Sequence, residues 1–175
     1  MLRNVSTRPP KRLVLLVLLS WLSMLGLDFF LHAGLLASLY LRPSPFLLPP
    51  LTAFQLIPIG YFSILLVTIL LFWLMSRLNI IGSRKGFVFG LKLSALAWGS
   101  FALGLFSIST ADSGLLAGWF LGQSAELALG GAVIGSGLAG ESLKRLSVQV
   151  TALIIVLVVV TVVLQTLGLA PAVRL

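Results

Sequence analysis

Five apolar runs, separated by short charged or proline-rich breaks, constrain this chain more than any other feature. They extend over roughly Leu13 to Tyr40, Thr52 to Met75, Gly86 to Ser107, Ser113 to Ala139 and Val148 to Leu169. Each is long enough for a helix to cross a bilayer, which takes about 20 residues. Backbone polar groups in lipid must be satisfied internally, and none of the runs shows the two-residue alternation of a barrel strand, so helices are the expected solution. Composition supports the same conclusion. The chain is 59% hydrophobic and only 9% charged, against about 45–50% apolar and about 25% charged in soluble domains. Charge this sparse cannot cover a soluble globule. The expected fold is all-α: a polytopic transmembrane bundle of about five helices, forming one membrane domain (13–175) behind a basic arm (1–12).

The breaks set the expected orientation. With the N-terminus in the cytoplasm, the inner segments carry Arg3, Arg8, Lys11, Arg12, Arg77, Arg84, Lys85, Lys144 and Arg145, and the outer ones only Arg42 and Arg174. This asymmetry obeys the positive-inside rule and places the C-terminus outside. It also accounts for the net charge of +8 without nucleic acid as a partner. Pro9 and Pro10 are expected to keep a disordered arm from joining the first helix. A basic start followed by an apolar stretch also resembles a signal peptide, and a cut near Ala37 would leave four helices. The length of the run and the presence of Asp28 and His32 argue against that. Prolines 43, 45, 49 and 50 predict a stiff outer loop, and Pro58 predicts a kink early in the second helix.

Helices in lipid gain little from hydrophobicity on association, so small residues that let backbones approach mark the contact faces. Gly86 and Gly90, Gly118 and Gly122, and Gly131 and Gly135 each stand four apart. Positions 118, 122, 126 and 130 share one face of the fourth helix and read Gly, Gly, Glu, Gly. Lys92 shares a face with Ala95, Gly99 and Ala102. The fifth helix is crowded with β-branched residues and reads as a lipid-facing or dimer-forming helix, with Gln149 and Gln165 at its ends within reach of water or headgroups.

Ionisable groups deep in a bilayer are costly, by about 2.5–3.5 kcal/mol on insertion scales. Four occur here, Asp28, His32, Lys92 and Glu126, with Gln123 as a neutral companion of Glu126. At a rise of ~1.5 Å per residue, His32 falls ~10 Å below the outer end of its helix, Asp28 ~15 Å, Gln123 ~14 Å, Glu126 ~18 Å and Lys92 ~22 Å. Asp28 and His32 are one turn apart and share a face. Two arrangements are open to Lys92: an internal pair with Glu126, or a stem that snorkels to the cytoplasmic headgroups. These five residues are the candidates for a ligand or proton pathway. Equally, the acids can serve as hydrogen-bonded structural groups.

Other chemistry finds little support. Without cysteine, thiolate metal sites and cysteine nucleophiles are excluded. No H-x-x-x-H pair or carboxylate-rich pair occurs, so no metal is expected. "GGAVIGSGLAG" follows no strand and is no dinucleotide fingerprint. No catalytic residue is assigned, no cofactor is expected, and an embedded enzyme would rest on the Asp28–His32 pair alone. With "LDFFLHAGLLASLY" in the first helix, "IPIGYF" in the second and glycine-punctuated later helices, the stretch Leu13 to Leu138 resembles small bacterial multi-pass inner-membrane protein families of unknown function. The resemblance implies a prokaryotic cytoplasmic-membrane protein and carries over no functional residue. The expectation is a protein that binds or passes a small solute or proton through a polar interior. The alternative is a non-transporting structural or accessory subunit. The partners are the lipid bilayer and a second copy or another membrane protein.

Overall fold

A computed structural model describes residues 9–42 and 44–171. The chain is helical throughout, with no strand among the described residues: α1 (Pro10–Phe30), a π-helical segment (Leu31–Leu35), α2 (Ala37–Tyr40), α3 (Pro50–Gln55), α4 (Ile57–Arg77), α5 (Ser83–Ile108), α6 (Ser113–Leu138) and α7 (Leu143–Thr166). Four helical stretches are long and apolar enough to span a membrane: Pro10–Leu35, Ile57–Arg77, Ser83–Ile108 and Leu143–Thr166. The helix α6 equals α5 in length but is diluted by glycines, Gln123 and Glu126.

Prolines account for two departures from the expected boundaries. The first helix starts at Pro10, three residues before the expected Leu13, with Pro9 as its non-helical N-cap and Pro10 inside its first turn. An N–H lost there had no intrahelical partner, and the fixed φ suits a helix start. The second apolar run is two helices rather than one kinked helix. The chain breaks at Leu56, and Pro58 sits in the first turn of α4. Pro50 opens α3, so the loop before it is shorter than the four prolines suggested. Arg3, Arg8, Pro43 and Arg174, with most of the basic arm, lie outside the described residues.

The first run also departs from a single α-helix. Its ladder changes at Leu31, where the Leu36 amide reaches back five residues to the Leu31 carbonyl at 2.7 Å. Such π-bulges widen a helix locally and are frequent at functional sites. Here the widened turn follows Asp28 and carries His32.

Helix α6 is the centre of the bundle. Fifteen of its 26 residues are buried, against three in α5 and three in α7. Two of its faces are glycine-lined. On one, its backbone touches that of antiparallel α5. A Cβ added at Gly86 would strike the Gly131 carbonyl, one at Gly90 the Leu127 carbonyl, and one at Gly135 the Gly82 carbonyl. The Gly82 amide donates to the Gly135 carbonyl at 2.9 Å, closing the seam at one end. The other face meets the first helical segment: Gly137 receives Leu16, Gly130 receives Ser20 and Met24, Gly122 receives Leu31, and Gly118 receives Leu36 and Leu39. The Ser20 hydroxyl donates to the Gly130 carbonyl at 3.0 Å. From α4, Ile64 joins Met24 and Leu127 in one core cluster, and Leu71 and Met75 join Leu16, Ile134 and Leu138 in the other. Trp21 Nε1 donates to the Tyr61 carbonyl at 2.9 Å.

Helix α7 packs on α1, with Ile154 against Gly26 and Thr161 and Leu164 beside Gly34. Its other flanks, including Val156, Val159 and Val162, are exposed. Gln165 does not rely on headgroups: it donates to the Ala33 carbonyl in the π segment at 2.9 Å.

The two ends of the bundle differ in charge. At one end lie the start of α1, the α4–α5 turn and the α6–α7 turn, joined by the Gly82–Gly135 bond and by Arg12 donating to the Glu141 carbonyl at 2.7 Å. Lys11, Arg12, Arg77, Arg84, Lys85, Lys144 and Arg145 gather there. The opposite end holds the π segment, α2 and the α5–α6 turn; of the described basic residues, only Arg42 lies there.

Candidate functional site

The apposition of the first helical segment and α6 brings three ionisable side chains together. His32 Nδ1 lies 2.9 Å from Asp28 Oδ1 and 3.0 Å from the Asp28 carbonyl oxygen. Glu126 faces them from α6, and one ligand-type atom from each of the three residues falls within 4.8 Å of the others. Local structure explains the first pair. The i, i+4 spacing stacks the two side chains, and the π turn holds His32 over the Asp28 carbonyl. The third member depends on glycine. With Gly122 and Gly130 on either side, the Glu126 face approaches α1 closely enough for the carboxylate to reach Asp28.

Accessibility falls steadily through the cluster. The His32 side chain is 31% exposed and that of Asp28 14%, whereas Glu126 is fully buried. Gln123, one turn before Glu126, donates its side-chain amide to both carboxylate oxygens, at 3.2 and 3.1 Å. Both Glu126 oxygens therefore act as acceptors, and their remaining lone pairs are available to the cluster.

Lys92 does not take part. It lies exposed on α5, and no ion pair joins it to Glu126 among the described residues. The reason is angular. The packed stripe of α5 is Gly86, Gly90 and Ser94, and two residues beyond Gly90 the helix has turned about 200°. The face of Lys92, Ala95, Gly99 and Ala102 is accordingly not the main seam. Gly99 is half-buried, and a Cβ there would make ordinary contact with Phe120 at 3.4 Å.

Tyr40 joins the cluster in a way that sequence reading missed. Its ring lies 4.8 Å from the His32 ring, centroid to centroid, at 47°. Its hydroxyl is buried near Trp119 without a hydrogen bond of ordinary geometry. The signal was weak, because an i, i+8 aromatic is normally two turns away, and only the π segment and the break at Leu36 fold it back. Ser94 and Ser124, on the facing helices α5 and α6, are buried with no hydrogen bond from their hydroxyls.

Two cavities flank α6 and neither reaches the cluster. One of about 340 Å³ is an apolar groove between α5 and α6, lined by Gly99, Leu103, Phe106, Leu116 and Phe120. The other, about 160 Å³, lies between α6 and α7 around Ser136, Gln149 and Val150. The cluster is thus packed, with His32 as its most accessible member. Comparison with protein-family profiles, curated proteins and solved structures gives no match.

Proposed function

We propose that this chain is a five-span protein of a bacterial cytoplasmic membrane, with its N-terminus inside and its C-terminus outside. In this reading α6 also crosses the membrane, as the fourth of the five spans, shielded from lipid on two faces so that its polar residues are tolerated. The concentration of basic residues at one end supports the orientation. The Asp28–His32–Glu126 cluster, with Gln123, binds a small solute or proton and passes it between the outer half of the membrane and the core. The observation that carries this reading is the meeting of two carboxylates and an imidazole from separate helices, with exposure falling from His32 to Glu126. Ionisable groups inside a membrane domain are costly, which makes them the first candidates for function. The chain shows no inverted repeat, so a complete pathway calls for a second copy or another membrane subunit.

The test is reconstitution into vesicles containing a pH-sensitive dye, with proton entry driven by a potassium-diffusion potential. Asp28→Asn and Glu126→Gln should each reduce the flux. Unchanged flux in both variants, at normal expression and insertion, removes the reading. A structural or accessory role is the second reading, supported by the packed state of the cluster and the double hydrogen bond from Gln123 to Glu126. It predicts that the same variants lower stability or assembly while flux is absent in all forms.

A further inference from the structure

We infer that the Asp28–His32–Glu126 cluster is a binding site for one divalent transition cation of the zinc or manganese class; the inference rests on the reading of this cluster as a binding site. The donor set is one imidazole and two carboxylates. Imidazole suits Zn²⁺, Fe²⁺ and their neighbours, and carboxylate suits Mn²⁺ and the harder ions, so the mixed set selects borderline divalent cations over Ca²⁺, Mg²⁺ or Cu⁺.

The geometry fits. His32 Nδ1 and Asp28 Oδ1 are 2.9 Å apart, and Nδ1, which donates to the Asp28 carbonyl at 3.0 Å, gives up its proton when it becomes a ligand. Two ligands on adjacent corners of an octahedron with bonds of about 2.1 Å stand about 3 Å apart. The third donor, on Glu126, lies within 4.8 Å of both. Side-chain rotation closes the remaining gap, at most about 2 Å, without moving α6, whose backbone is held by the glycine seams.

Charge points the same way. Bound as deprotonated donors, two carboxylates and a neutral imidazole sum to −2, which a divalent cation cancels. In a membrane interior a neutral assembly is favoured strongly over one with net charge. Glu126 is fully buried, and its hydrogen-bond partner among the described residues is the uncharged Gln123. A carboxylate held by a neighbouring amide is an arrangement that metal sites use to orient a ligand. Tyr40, packed on the His32 ring, limits the ring's rotation. His32 remains the most accessible member of the three.

The chain has one histidine and no cysteine, which makes the experiment clean as long as no polyhistidine tag is used. Protein purified in detergent through a non-histidine tag is stripped with EDTA and titrated with CoCl₂, with visible absorption as readout. One equivalent of Co²⁺ should bind with saturable d–d bands that Zn²⁺ displaces. His32→Gln and Glu126→Gln should each weaken binding at least a hundredfold. Gln123→Leu should weaken it by about 10–100-fold, as loss of a hydrogen-bond partner to a ligating group does, and Lys92→Ala should leave it unchanged. Thermal melting of each EDTA-stripped variant establishes folding. Zn²⁺ should raise the melting temperature of the parent protein and not that of His32→Gln. Absence of a saturable one-equivalent site in the parent, or parent-like affinity in both His32→Gln and Glu126→Gln, overturns the inference. If metal fails to bind while proton flux still depends on Asp28 and Glu126, the cation site falls and the proposed function stands. If Co²⁺ binds as described while flux is indifferent to both acids, the site stands and the translocation reading falls.

Discussion

Replacing Gly131 by alanine should damage this protein severely, as should the same change at Gly86 or Gly90 across the seam. A Cβ at Gly131 would overlap the Gly86 carbonyl oxygen, lie 3.0 Å from the Gly86 carbonyl carbon and 3.5 Å from the Gly90 Cα. All three obstacles are backbone, so no rotamer change relieves them. The helices must part by about 1 Å. A gap of that size forfeits between a quarter and a half of the dispersion energy of each contact it opens, and the seam runs from Gly82–Gly135 through Gly86–Gly131 to Gly90–Leu127. Overpacking ordinarily costs about 1–3 kcal/mol. With backbone on both sides, we expect the upper end, about 3 kcal/mol, or roughly a hundredfold in the folding equilibrium. The assay is SDS titration of purified protein in mixed micelles, followed by tryptophan fluorescence. The control is Gly104→Ala on the same seam's α5, where nothing lies within 4 Å of an added Cβ. That change should be neutral or stabilising by up to about 1 kcal/mol, since alanine is the better helix former. Equal unfolding midpoints for Gly131→Ala and Gly104→Ala would refute the backbone seam.

Three further outcomes follow from the packing. Lys92→Ala and Glu126→Gln should be additive within about 0.5 kcal/mol in a double-mutant cycle, because Lys92 faces away from α6; a coupling above 1 kcal/mol would mean that the two side chains meet after all. Gly82→Ala should cost about 1–3 kcal/mol through its backbone alone, since Gly82 has φ +104° and ψ 143° and an added Cβ meets nothing; a neutral result in the same titration would contradict this conformation. Ser20→Ala should lose about 0.6–1 kcal/mol with the bond to the Gly130 carbonyl, and an unfolding midpoint equal to the parent's would place that hydroxyl elsewhere.

Part of the site is legible in residue spacing alone. The spacing of Asp28 and His32 implies a shared face, and the run of Gly118, Gly122, Glu126 and Gly130 implies that Glu126 lies on a packed face. The placement of Lys92 was not readable. Its neighbours Ala95, Gly99 and Ala102 form as plausible a small-residue stripe as Gly86, Gly90 and Ser94, and periodicity alone cannot choose between two such stripes on one helix. The π turn was also hidden. Nothing in "LHAGL" forbids an ordinary α-helix there, and the widened turn depends on what packs around it, with Gln165 of α7 bonded to its Ala33 carbonyl and Leu31 and Leu36 seated against Gly122 of α6.

By itself, the sequence determined the class of structure, because long apolar runs with so little charge leave the backbone no option in lipid but to bond to itself in helices. It also determined which ends of those runs carry the positive charge, and where glycine permits close approach. Tertiary structure decided which glycine face meets which helix. That choice depends on backbone atoms from distant segments fitting against one another, and no local pattern encodes it. It made α6 the buried centre, left Lys92 outside, and set Glu126 beside Asp28 and His32.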